Sequence, residues 1–176
     1  TQSNQYRVAE TGIESTSVMR LDGRTSRLEQ LHIQFPPGMR AQEFRVGGAE
    51  TQWSVASLED GASIVAVDLE PFASDDNESI IIRCNAYADL SFGLPQMLPR
   101  LRPQDVFWLQ EKTTLAFASE CEVTQLELED ARFSNATDSG ASEAAPGSVS
   151  ILLEEPQAKV LFQVRKQQPS ASLDST

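Results

Sequence analysis

The stretch Leu28-Glu29-Gln30-Leu31-His32-Ile33-Gln34-Phe35 decides the fold class. Leu31, Ile33 and Phe35 fall on one side of an extended chain, and Gln30, His32 and Gln34 fall on the other. This is the period of a strand with one wet face. The same alternation recurs at Phe44/Val46, Val65/Val67/Leu69, Ile80/Ile82/Cys84, Leu115/Phe117, Cys121/Val123, Leu126/Leu128, Val149/Ile151/Leu153 and Val160/Phe162/Val164. Between the runs stand Asp22-Gly23, Pro36-Pro37-Gly38, Gly47-Gly48 and Asp60-Gly61, each a signal for chain reversal. No amphipathic stretch is long enough for a regular helix. Short strands with frequent turns pack as two antiparallel sheets. The expectation is therefore all-β: an antiparallel two-sheet β-sandwich, jelly-roll-like, with about ten strands and little helix.

Local features sharpen that expectation. Asp60-Gly61 tolerates the positive φ angles of a type I′ turn and predicts a hairpin between Trp53/Val55 and the run from Ile64. The β-branched run Ile80-Ile81-Ile82 reads as a central strand buried on both faces. Cys121 and Val123 lie at odd positions whereas Leu126 and Leu128 lie at even ones, which predicts a bulge near Thr124-Gln125. Gly93, Pro95, Pro99 and Pro103 make the span from Leu90 to Pro103 a long connection. Thr1 to Tyr6 is polar and reads as a frayed end, Ser134 to Gly147 as a long mobile loop. Residues 1–166 form one domain in this reading, and 167–176 a disordered tail or linker.

Composition narrows the function classes. Asp and Glu number 26 against 14 Lys and Arg, a net charge of −12. Such a charge repels a phosphate backbone, and no basic stripe with interleaved aromatics offsets it. Nucleic acid is excluded as an expected partner. No run approaches the ~20 apolar residues that cross a bilayer as a helix, so membrane insertion is not expected. Thr1 is not an initiator methionine, which suggests a processed product or a piece of something longer. The Thr-, Ser- and Asp-rich surface suits an extracytoplasmic setting, periplasmic or secreted.

Residues able to carry chemistry are few. His32 is the single histidine and sits on the wet side of its strand, with no G-x-S-x-G elbow to accompany it. Cys84 and Cys121 lack metal-ligand spacing, so no metal and no cofactor are expected. The two cysteines occupy inward strand positions and read as buried thiols, or in an oxidising compartment as a disulfide worth about 3–4 kcal/mol. Glu120, Glu122, Glu127 and Glu129 alternate with apolar neighbours as on a strand's wet face. Asp75, Asp76 and Glu78 lack calcium-loop spacing and read as a solvated turn. Trp108, Tyr87 and Trp53 are the candidate ligand-facing groups, because aromatic faces stack on sugar rings. Buried core is their alternative role.

The segment Leu28 to Leu69, with its strand, Pro36-Pro37-Gly38, a strand ending in Gly47-Gly48, Trp53 and the Asp60-Gly61 hairpin, resembles β-sandwich segments of long uncharacterised bacterial envelope or secreted proteins. The resemblance implies a domain of a larger protein and carries over no site. The sequence reading is a non-catalytic, extracytoplasmic β-sandwich that acts as a structural or protein-interaction module, with neighbouring domains or another protein as partners. The second reading is a carbohydrate-binding module using exposed aromatics, and the third a hydrolase built on two carboxylates across a cleft.

Overall fold

The computed structural model describes residues 1–22, 28–72, 79–104, 106–107, 109–134 and 147–167. The turn at Asp22-Gly23, the acidic turn at Asp75, Asp76 and Glu78, most of the Ser134–Gly147 loop, the 168–176 tail and Trp108 fall wholly or partly outside these residues.

The chain is almost entirely β, as its period-2 pattern requires. Its strands are β1 (Gln2–Ala9), β2 (Gly12–Leu21), β3 (Gln30–Phe35), β4 (Met39–Val46), β5 (Ala49–Glu50), β6 (Trp53–Ser57), β7 (Ser63–Asp68), β8 (Ile80–Ala88), β9 (Gln96–Met97), β10 (Arg102–Pro103), β11 (Glu111–Phe117), β12 (Cys121–Glu129), β13 (Ala131–Phe133), β14 (Ser148–Leu153) and β15 (Lys159–Lys166). A single 3₁₀ turn at Glu70–Phe72 is the helical element among the described residues.

The architecture is sandwich-like but has three sheets. One layer is an eight-stranded sheet in the order β13-β14-β11-β1-β2-β8-β4-β5. A four-stranded sheet, β10-β3-β7-β6, and a three-stranded sheet, β12-β15-β9, supply the rest. Phe35 of the four-stranded sheet meets Phe44 of the large sheet edge-on, ring centres 6.3 Å apart. Phe162 of the three-stranded sheet meets Phe117 of the large sheet at 6.2 Å. Aromatic contacts thus link each small sheet to the large one. Among the described residues all strand pairs are antiparallel except β1 with β11, which run parallel in register Gln2↔Glu111 to Val8↔Phe117.

Turn chemistry explains the reversals. Gly47 and Gly48 have φ of 57° and 89°, the two left-handed residues of a type I′ hairpin between β4 and β5. At the β6–β7 reversal only Gly61 is left-handed, with φ of 81°. The Leu58 N–H donates to Ala62 C=O and the Gly61 N–H to Leu58 C=O. The loop is therefore a three-residue connection closed by a left-handed Gly rather than the expected type I′ turn. Asp60 keeps ordinary φ and uses its carboxylate to accept from the Ala62 N–H at 3.0 Å.

Two further expectations are corrected. Ile82 is fully buried, but Ile81 is half exposed, because β8 covers the core with one face only. The first residues are not frayed: β1 lies inside the large sheet between β11 and β2, with Gln2, Asn4, Tyr6 and Val8 all facing inward. The bulge in β12 is present as expected, with the β15 register shifting between Val123 and Gln125.

Candidate functional site

The inward face of the large sheet is unexpectedly polar at its centre. Gln2 and Asn4 of β1, Ser15 and Ser17 of β2, and Glu111 and Thr113 of β11 are all buried. A buried carboxylate is costly unless it is paired and hydrogen-bonded, and Glu111 is both. Asn4 Nδ2 donates to its Oε1 at 2.6 Å, Thr113 Oγ1 donates to the same oxygen at 3.3 Å, and Arg100 Nε donates to both oxygens at 3.1 Å.

Arg100 comes from the connection between β9 and β10, where Leu98 and Leu101 fix it by burying on either side. The Leu98 N–H donates to Val160 C=O in the three-stranded sheet, and the Gln104 N–H donates to His32 C=O in the four-stranded sheet. Arg100 Nη1 donates to the carbonyls of Ala158 and Pro156. One side chain therefore ties together the large sheet, the connection spanning the two small sheets, and the turn that enters β15. Gln2 completes the network by donating to Asn4 Oδ1 at 3.0 Å and Leu101 C=O at 3.3 Å.

Among the described residues, three buried side-chain atoms have no hydrogen-bond partner: Gln2 Oε1, Tyr6 Oη and Ser17 Oγ. Burial raises the Tyr6 phenol well above its ordinary pKa, and the charge of Glu111 pushes the same way.

Arg100 also lines a cleft of about 250 Å³, together with Gln34, Pro36, Asp60, Met97, Arg102 and Lys159. Lys159 also pairs with Glu129 at 2.8 Å. The lining contains one carboxylate and no His, Cys, Ser or Thr. It can hold a small polar group, and Asp60 is the one carboxylate in its lining.

Of the candidate aromatics, Trp53 and Tyr87 lie in different sheets, and Trp108 is outside the described residues. Trp53 stands on β6, its ring 5.5 Å from that of Phe44. Tyr87 is on the outward face of β8, where its hydroxyl donates to Thr11 C=O. Cys84 in β8 and Cys121 in β12 are free, buried thiols in different sheets, so no bridge joins them. Desolvation pushes the Cys84 thiol up to about 12. Glu122 and Glu129 lie on the wet face of β12 as expected, and Glu122 meets Arg165 at 2.8 Å.

Sequence reasoning missed Arg100, Glu111, Asn4 and Gln2. One signal was present: Gln2, Asn4, Tyr6 and Val8 share a two-residue period, which is a strand whose inward positions begin polar.

No family model and no curated protein sequence matches the chain. Solved structures do. Native yeast LTA4 hydrolase matches 96% of this chain with TM-score 0.57 at 9% identity. The M1 zinc metallopeptidase from Deinococcus radiodurans matches 92% with TM-score 0.53 at 9% identity. A two-domain M1 zinc metallopeptidase mutant bound to L-tryptophan matches 92% with TM-score 0.54 at 10% identity. The chain spans only 29% of the first of these and 41% of the other two.

At such identities the likeness concerns the fold. It corrects the expectation of a structural or protein-interaction module, and the carbohydrate-binding alternative with it. The architecture is instead one that occurs as a part of zinc metallopeptidase chains.

The chain has one His and two Cys, the cysteines are buried in separate sheets, and among the described residues no three His, Cys, Asp or Glu side chains gather to hold a metal. This donor set does not fit a peptidase zinc.

Proposed function

We propose that this chain is a peptidase-derived domain, the β portion of a protein built like the M1 zinc metallopeptidases. Peptide hydrolysis in that protein belongs to residues outside this stretch, and the chain's partner is the remainder of the same polypeptide. The observation that carries this reading is the asymmetry of the structural match: nearly all of this chain is used, yet less than a third of yeast LTA4 hydrolase. The unsuitable metal donors support placing the chemistry elsewhere. In this reading the domain itself has no catalytic residue and binds no cofactor.

The test is an activity comparison. Native protein captured from its source with an antibody to this chain should release amino acids from an unblocked tripeptide and lose that activity to a zinc chelator. The 176-residue chain supplied with zinc should not. Equal inactivity of both samples, or hydrolysis by the chain alone, would overturn the reading.

A further inference from the structure

The four-stranded sheet ends at β6, and all five residues of that strand are exposed. Its pairing with β7 runs Trp53↔Val67, Val55↔Val65 and Ser57↔Ser63. The Leu58 N–H bonds Ala62 C=O, and the Asp68 N–H bonds Gln52 C=O. Antiparallel alternation then gives Ser54 and Ala56 to β7 and turns the N–H and C=O groups of Trp53, Val55 and Ser57 outward.

The side chains on this edge are unusual for a strand left bare. Natural edges are blunted by Lys, Pro or inward charges, and Trp53-Ser54-Val55-Ala56-Ser57 has none. Trp53 and Val55 share the face of the buried Val67 and Val65, yet remain 37% and 54% exposed. They extend the core face one strand beyond the point where the sheet stops. Acidic residues flank the edge: Glu59 and Asp60 follow it, and Glu50 precedes it, 3.9 Å from Arg45.

We propose that β6 receives an added β-strand from an extended, cationic segment of another protein. The segment's apolar residues cover Trp53 and Val55, its backbone pairs with Trp53, Val55 and Ser57, and its Lys or Arg side chains meet Glu59 and Asp60. A second copy of this chain fits poorly. Twofold pairing about Val55 would set Glu50 of one copy opposite Asp60 of the other, between chains that each carry a net charge of −12. The inference stands on β6 and is independent of the peptidase reading.

The probe is a blocked peptide, Lys-Lys-Val-Thr-Val-Thr-Val, titrated into the full chain and followed by amide hydrogen exchange. The expected result is saturable binding, with exchange slowed at Trp53, Val55 and Ser57. A Glu-Glu version of the peptide should bind roughly tenfold or more weakly. Val55→Pro deletes an outward N–H that β7 does not use, and should abolish binding without lowering the midpoint of thermal unfolding. If that variant does not fold, Val55→Lys keeps every bond to β7 and should weaken binding likewise. No saturable binding, equal binding of the Glu-Glu peptide, or slow exchange at these amides in a concentration-dependent dimer would each overturn the proposal.

Discussion

Arg100 Nε reaches both carboxylate oxygens of Glu111 at 3.1 Å, with side chains only 6% and 1% exposed. The pair sits where the connection between the small sheets crosses the large one, so its loss would loosen all three. Removing one member of a buried pair strands the other, at a cost of about 3–5 kcal/mol. Arg100→Leu should therefore destabilise the chain by that order in urea unfolding. Arg100→Leu with Glu111→Leu should recover part of the loss, although Asn4 and Thr113 then lose their acceptor. A cost below about 1 kcal/mol for the single variant would show that the pair does not hold the sheets.

Tyr6 offers the opposite case, a buried hydroxyl with no hydrogen-bond partner. Deleting an unsatisfied group removes a desolvation cost, so Tyr6→Phe should leave stability unchanged or raise it. A loss of 1 kcal/mol or more would reveal a partner for the hydroxyl, such as a buried water.

Alkaline pH should act through the same buried groups. Burial raises both the Tyr6 phenol and the Cys84 thiol, the latter to about 12 from an ordinary value of 9.0. Above pH 9 the unfolded chain releases protons that the folded chain keeps, so stability falls as pH rises. For Cys84 that loss runs between pH 9 and about 12; for Tyr6 it begins near 10. Urea midpoints from pH 8 to 11 should decline, and Tyr6→Phe with Cys84→Ala should flatten the upper part of the decline.

Both free thiols should resist a thiol-specific reagent in the folded chain. Cys84 is fully buried and Cys121 nearly so, and desolvation raises both thiols. Two equivalents should react in denaturant. Rapid reaction of either under native conditions would contradict their burial.

Gly12 should be intolerant of substitution. Its φ of 148° is one that side chains rarely adopt, and a Cβ there would run into the ring and hydroxyl of Tyr87. Gly12→Ala should cost about 2 kcal/mol or more by thermal or urea unfolding. Tyr87→Phe, which loses only the bond to Thr11, should cost about 1 kcal/mol.

The strands were legible wherever a solvent face alternates with an apolar one, as in Leu31/Ile33/Phe35. The β12 bulge was legible because a bulge must shift that phase. What the pattern hid was β1, because Gln2 and Asn4 are polar and inward. Their burial depends on Glu111, more than a hundred residues away, and that charge is offset in turn by Arg100. Ile81 misled for a related reason: a β-branched residue favours a strand on either face, so composition alone does not report burial. The third sheet was hidden because periodicity finds strands such as β12 and β15 without saying which strands pair, and β9 and β10, with two residues each, are too short to show a period. Strand order, which periodicity does not encode, puts Trp53 and Tyr87 on different sheets.

The peptidase-derived reading turns on whether this sequence works as part of a larger protein. The most direct measurement is the intact mass of the native polypeptide carrying it, captured with an antibody to this chain and read by mass spectrometry. The account predicts a polypeptide well above the 19.3 kDa of this chain, with the additional length supplying three metal-ligating side chains. A native polypeptide of 19.3 kDa would contradict it.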